Sequence, residues 1–152
     1  MIAEFFKDLT EIPGIEAVIL FDNQNNVIDS WAVSKYNPTM FPDIGQTFLH
    51  TFGVMEHLNY DLNEIAMPHD RGILYARCHP KFYLVVISRL SVELSLIRLA
   101  VDVCLAEFLE NRKVKKTLKK MSARKFFQIK TATLDDVERI MLENILEESN
   151  AG

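Results

Sequence analysis

Four histidines, two cysteines and one turn arginine are the side chains of this 152-residue chain whose chemistry could exceed packing. His50, His57, His69 and His79 could ligate a metal ion or carry protons near neutral pH. His50 and His57 share the polar side of one helical segment, but seven residues is two turns, roughly 10 Å, too far for one ion. Cys78 beside His79 has the composition of an activated thiol, yet consecutive strand residues point to opposite faces. The spacing predicts surface histidines and core thiols, with no metal site and no Cys/His nucleophile. Gly14, Gly45, Gly53, Gly72 and Gly152 frame neither a phosphate loop nor a dinucleotide fingerprint, which need closely spaced glycines or amides beside Lys and Ser/Thr. The chain is therefore expected to use no cofactor and to hydrolyse no nucleotide itself. Arg71, in "HDRG", could be offered to another protein's active site as a finger. A solvated turn arginine is the more ordinary reading, because surface loops are polar.

Charge is distributed unevenly. The net charge is −4, yet the stretch from Arg112 to Lys130 holds nine cations and no acid, with fifteen acids against seven bases before it and six against one after it. Lys113, Lys116, Lys119, Lys120, Arg124 and Lys125 are its candidate contacts for an anionic partner. Three readings stay open. The block is a solvated helical extension, or a basic stripe followed by Phe126 and Phe127 that rests on anionic lipid, or a nucleic-acid contact. The last is disfavoured by the acidic remainder and the lack of any reading motif.

These residues need a scaffold, and composition describes one. Apolar residues make up 49% of the chain and charged residues 25%, the balance of a single globular domain. Cys78 and Cys104 lie inside apolar runs, as expected in a reducing compartment. No signal-like segment and no run of eighteen apolar residues occurs, so the expected location is cytoplasmic. Ile2, Phe5, Phe6, Leu9 and Ile12 recur at helical spacing and predict a first helix ended by Pro13-Gly14. "IEAVILFD" and "NVIDSWAV" predict a hairpin, with Asn25 and Asn26 standing where glycine is commonest. Pro38 heads a second helix to about Asn59. Its apolar residues span an arc of roughly 180°, wider than one contact face, and Gly45 and Gly53 at the arc's edges would admit a second helix. The stripe Phe41, Phe48, Phe52 and Met55 is thus expected to serve both core and partner groove. "DLNEIAMPH", "RGILYARCHP" and "KFYLVVISR" predict three strands. Ser91 is expected to cap a third helix reaching Leu109 and buried on most sides. "TLDDVERIMLENILEES" then predicts an acidic amphipathic helix with Leu134, Val137, Met141 and Ile145 on one stripe, suited to folding back on the basic segment or to docking on a partner. The predicted class is α+β: a five-stranded antiparallel sheet flanked by helices in the order α-β-β-α-β-β-β-α, over residues 1–110, with residues 111–152 as a helical extension.

The helix ending in "IPGIEAVILFD", the hairpin to "VIDS", the Pro-headed second helix, the block ending "YLVVIS" and the long third helix resemble the roadblock (dynein light-chain, longin-like) domain over residues 1–110. The chain departs from that pattern in lacking a hairpin-turn glycine and in its C-terminal extension. The resemblance implies a homodimer or heterodimer, with third strands paired edge to edge and second helices side by side. It also implies binding of a small Ras-like GTPase, as in bacterial MglB-type regulators, which promote hydrolysis without an arginine finger, or a scaffolding role in motor, polarity and signalling complexes. On that footing the second helix and the loop before it, with Tyr36, Pro38, Phe41, Ile44, Gly45, Phe48, His50, Phe52 and Met55, form the expected dimer and partner surface. The protein would then be a regulator and not an enzyme, cytoplasmic or peripheral at a membrane or cell pole.

Overall fold

The computed structural model describes residues 1–33, 35–60 and 62–121. The later half of the basic block, with Arg124 and Lys125, and the expected acidic helix lie outside the described residues. Short helices α1 (Ile2–Phe5) and α2 (Lys7–Thr10) lead into strands β1 (Ile15–Asp22) and β2 (Val27–Ala32), a 3₁₀ turn at Pro38–Met40 and helix α3 (Phe41–His57). Strands β3 (Glu64–His69), β4 (Gly72–Cys78) and β5 (Phe82–Ser88) follow, then helices α4 (Leu94–Glu110) and α5 (Arg112–Lys120). The strands form one antiparallel sheet in the order β2-β1-β5-β4-β3. This is the α+β arrangement that the element order predicts.

Strands β1 and β5 read as mostly continuous apolar runs because both their faces are covered. Alternation along the strands sends Val18, Leu20, Leu84 and Val86 into a core shared with α1, α2, α4 and α5. The intervening Ala17, Ile19, Phe21, Tyr83 and Val85 enter a second core under α3. On the first face Phe108 of α4 is the hub. Its ring meets Phe5, Phe6 and Phe82, each at a centroid distance of 5.5 Å, two of them edge-on.

Three sequence expectations change. The first helix is broken at Phe6 (φ −112°, ψ 20°), and its opening turn is tied to β2, where the Ile2 N–H donates to Asp29 Oδ2 at 2.7 Å. Ser91 does not cap α4. The chain first makes a turn in which the Val92 N–H donates to the Arg89 carbonyl, and Val92 is buried over Gly14. Gly14 has φ 98°, and a Cβ there would lie 2.6 Å from Val92 Cγ2, so both its backbone and its lack of a side chain are used. Finally, α4 is not buried on most sides: Leu96, Leu99 and Val103 face outward, Leu99 at 61% exposure.

Phe108→Ala is expected to lower unfolding free energy by about 3–5 kcal/mol, because it opens a cavity among three rings. Urea unfolding checks this as a lower midpoint at unchanged slope.

Candidate partner-binding surface

Asn25 fixes where α3 begins. It occupies the β1–β2 turn with φ 66°, the left-handed conformation its position predicts. Its Nδ2 donates to the Pro42 carbonyl at 2.8 Å, and its Oδ1 accepts the Tyr83 hydroxyl at 2.6 Å. Asp22 closes the same turn by accepting the Gln24 and Asn26 N–H groups. Tyr83 in turn stacks on Phe21 at 4.8 Å with the rings 8° from parallel. One asparagine therefore joins hairpin, central strand and helix. Gly45 allows the approach: a Cβ there would run into Asn25 Oδ1 and lie 2.6 Å from Phe21 Cε1.

The residues expected to form a partner surface divide by depth. Phe41, Phe48 and Phe52 are 1–2% exposed and packed on the sheet, because their rings fill the space between helix and strands. In this chain they are core. Gly45 is closed off by Phe21 and Asn25 and admits no second helix. Tyr36, Ile44, His50 and Met55 remain half-buried, and Pro38 is exposed. The exposed residues of α3 are Pro42, Asp43, Gln46, Thr47, Glu56 and His57, and Thr51 and Val54 are half-buried beside them. Thr47 and Thr51 donate their hydroxyls to the carbonyls of Asp43 and Thr47, at 3.1 and 2.8 Å, so their donors are used within the helix. Gly53 is buried, yet a Cβ on it would meet nothing within 4 Å. His50 Nε2 is buried without a hydrogen-bond partner among the described residues.

Beside this helix lies an open strand edge. β3 pairs with β4 from Glu64↔Arg77 to His69↔Gly72, and no described strand lies on its other side. Ile65 and Met67 lean toward the α3 core, and Ala66 toward the other face. Pro68 is tolerated because an edge strand can spare an N–H.

A polar cluster that the sequence does not announce anchors this edge. Tyr75 donates its hydroxyl to Glu64 Oε2 at 2.7 Å and accepts from Arg77 Nε and Nη2 at 3.0 and 2.7 Å. Arg77 Nη1 reaches Asp102 on α4 at 2.6 Å, and Arg98 of α4 pairs with Glu64 Oε1 at 2.8 Å. Partners drawn from two strands and a helix leave no spacing signal. Burial alone would raise the Glu64 carboxyl, but the Tyr75 hydrogen bond and the charges of Arg98 and Arg77 hold it below its ordinary value. The Tyr75 phenol is pushed up to about 12, first by burial and then by its bond to Glu64.

Other chemistry is sparse. Among the described residues no three His, Cys, Asp or Glu side chains could hold a metal ion. A cleft of about 370 Å³ is lined by Gly14, Ile15, Glu16, Val33, Lys35 and Arg89, but Glu16 is already paired with Lys35 and lies 3.9 Å from Arg89. Arg71 is an exposed residue of the β3–β4 turn. Among the described residues no helix is long and apolar enough to cross a membrane.

No protein-family model and no curated protein matches the sequence. Solved structures do match. The Roadblock/LC7 domain of Streptomyces avermitilis superposes with a TM-score of 0.61 at 10% identity, covering 79% of this chain and 98% of its own. The fold is that of the roadblock domain. Myxococcus xanthus MglB gives 0.60 at 18% identity, over 76% of this chain and 84% of MglB. The gliding protein MglB of Thermus thermophilus gives 0.57 at 16%, over 67% and 81%. In roadblock terms, α3 covers one face of the sheet and α1, α2 and α4 the other, with β3 at one edge.

Asn25→Gly keeps the turn conformation while deleting both hydrogen bonds, and is expected to cost about 1–2 kcal/mol. Urea unfolding measures the loss, and faster amide exchange at the start of α3 would locate it. For Tyr75, the phenol's value in the folded state lies above the ordinary 10.0. Its contribution is complete below that pH and is lost as the pH rises toward about 12. Tyr75→Phe is expected to flatten the alkaline fall in stability across this window, read from urea midpoints.

Proposed function

We propose that this chain is a dimeric roadblock regulator that binds a small Ras-like GTPase and stimulates its GTP hydrolysis by ordering the GTPase's own residues. The observation that carries the reading is the edge of β3, unpaired among the described residues, next to a stretch of α3 where Thr47, Thr51 and Val54 are short side chains. An unpaired edge strand invites another strand, and the short side chains of Thr47, Thr51 and Val54 let a second helix come close. A second copy supplies both a strand and a helix, and the two-fold contact so formed is self-complementary. The resemblance of the sequence motifs to the roadblock domain supports a small Ras-like GTPase as partner, and the fold shared with MglB structures agrees with it. Around this seam, Tyr36, Pro38, Ile44, His50 and Met55 are the residues proposed to meet the second copy or the GTPase. No arginine finger comes from Arg71 in this reading.

Thr51→Arg puts a long cation on the proposed helix contact. It is expected to turn a dimer into a monomer in sedimentation velocity at micromolar concentration, with thermal stability of the fold retained. A wild-type protein that sediments as a monomer rejects the dimer. Hydrolysis by the cognate GTPase is expected to accelerate on adding wild-type protein and to stay equally accelerated with Arg71→Ala. Binding without acceleration favours a dimeric scaffold, and loss of acceleration in Arg71→Ala with binding intact restores the finger.

A further inference from the structure

Helix α5 is amphipathic, and only its apolar side is used. Val114 is buried and Leu118 packs on the core that contains Phe108. Its other side carries Arg112, Lys113, Lys115, Lys116, Lys119 and Lys120 with no acid between them, and all six are exposed. Of these, Lys115 meets Glu110 Oε2 at 3.1 Å, and the described residues give none of the others an acidic partner. Like charges packed this densely repel one another, so the face gains from any anionic cover.

The chain itself carries a complement. Residues 131–148 hold six acids, Asp135, Asp136, Glu138, Glu143, Glu147 and Glu148, against Arg139 alone. The exit point is fixed, because Lys81 Nζ donates to the Met121 carbonyl at 2.7 Å. The intervening residues 122–130 can span up to about 30 Å, and α5 is about 14 Å long, so the acidic segment reaches every cation on the face. Tethering at this length gives an effective concentration in the millimolar range, at which individually weak charge pairs suffice. The outward stripe of α4 is a poorer host, because Glu107 and Glu110 beside it would repel the acids. We infer that the acidic segment 131–148 docks on the cationic face of α5 of the same chain, forming an electrostatic latch that hides this face from other anionic partners.

Carbodiimide joins lysines directly to carboxylates in ion-pair contact, and it can be applied to the full-length protein. Peptide mapping is expected to find links from Lys113, Lys116, Lys119 or Lys120 to Asp135–Glu148. Links confined to one chain in a mixture of ¹⁴N- and ¹⁵N-labelled protein, and lost in about 1 M salt where screening acts within about 3 Å, support the latch. Reversing the four lysines to Glu is expected to cut the yield at least tenfold, and adding Asp135→Lys, Asp136→Lys, Glu138→Lys and Glu143→Lys to restore it. Absent links, or links only between labelled and unlabelled chains, overturn the proposal. A second readout is sedimentation with phosphatidylserine vesicles. The full chain with all six acids converted to Asn or Gln is expected to bind at least fivefold more than wild type, and equal binding by the two overturns the masking.

Discussion

Two-sided burial of β1 and β5 is the constraint on which the rest of the molecule depends. A central pair of strands that presents Val, Ile, Leu and Phe to both faces cannot stand in water. Two layers of helices are therefore required. On one face α1, α2, α4 and α5 converge on Phe108, and on the other α3 stands on Phe41, Phe48 and Phe52. The same demand explains why the aromatic stripe of α3 goes inward: the apolar sheet beneath it takes the largest side chains first.

Once α3 is committed to the sheet, its position is set by polar contacts. The Asn25 side chain bridges the Pro42 carbonyl and the Tyr83 hydroxyl, and Gly45 lets the helix close on Phe21. At the opposite margin, Glu64, Tyr75, Arg77, Arg98 and Asp102 tie the start of β3 to β4 and α4. An edge strand held in this way keeps a defined register, with no strand on its outer side among the described residues. In the proposed dimer, a helix face and a strand edge that are each anchored from behind lose little entropy when a partner binds.

Much of this was legible in the residues. The mostly apolar runs of β1 and β5, the Asn-rich turn and the Pro-headed helix each rest on local rules: side-chain alternation, the tolerance of asparagine for positive φ, and the fixed φ of proline. Those rules are obeyed. The polar cluster around Tyr75 was not legible, because its members come from β3, β4 and α4 and share no spacing. The direction of the apolar arc of α3 was misjudged in part, because a helical wheel gives width without depth. Helix α4 shows the converse: Leu96, Leu99 and Val103 read as core but face outward, since one side of the helix already satisfies the sheet.

The sequence by itself determined the class of fold, the strand and helix order and the segregation of charge into a basic block between acidic flanks, because these depend on periodicity and composition along the chain. Only the tertiary structure decided that Asn25 clamps α3, that Gly45 serves this chain's own packing, and that β3 is the outermost strand among the described residues. Each of these is a relation between residues far apart in sequence, fixed by how large rings fill space and by which polar atoms that filling leaves within reach.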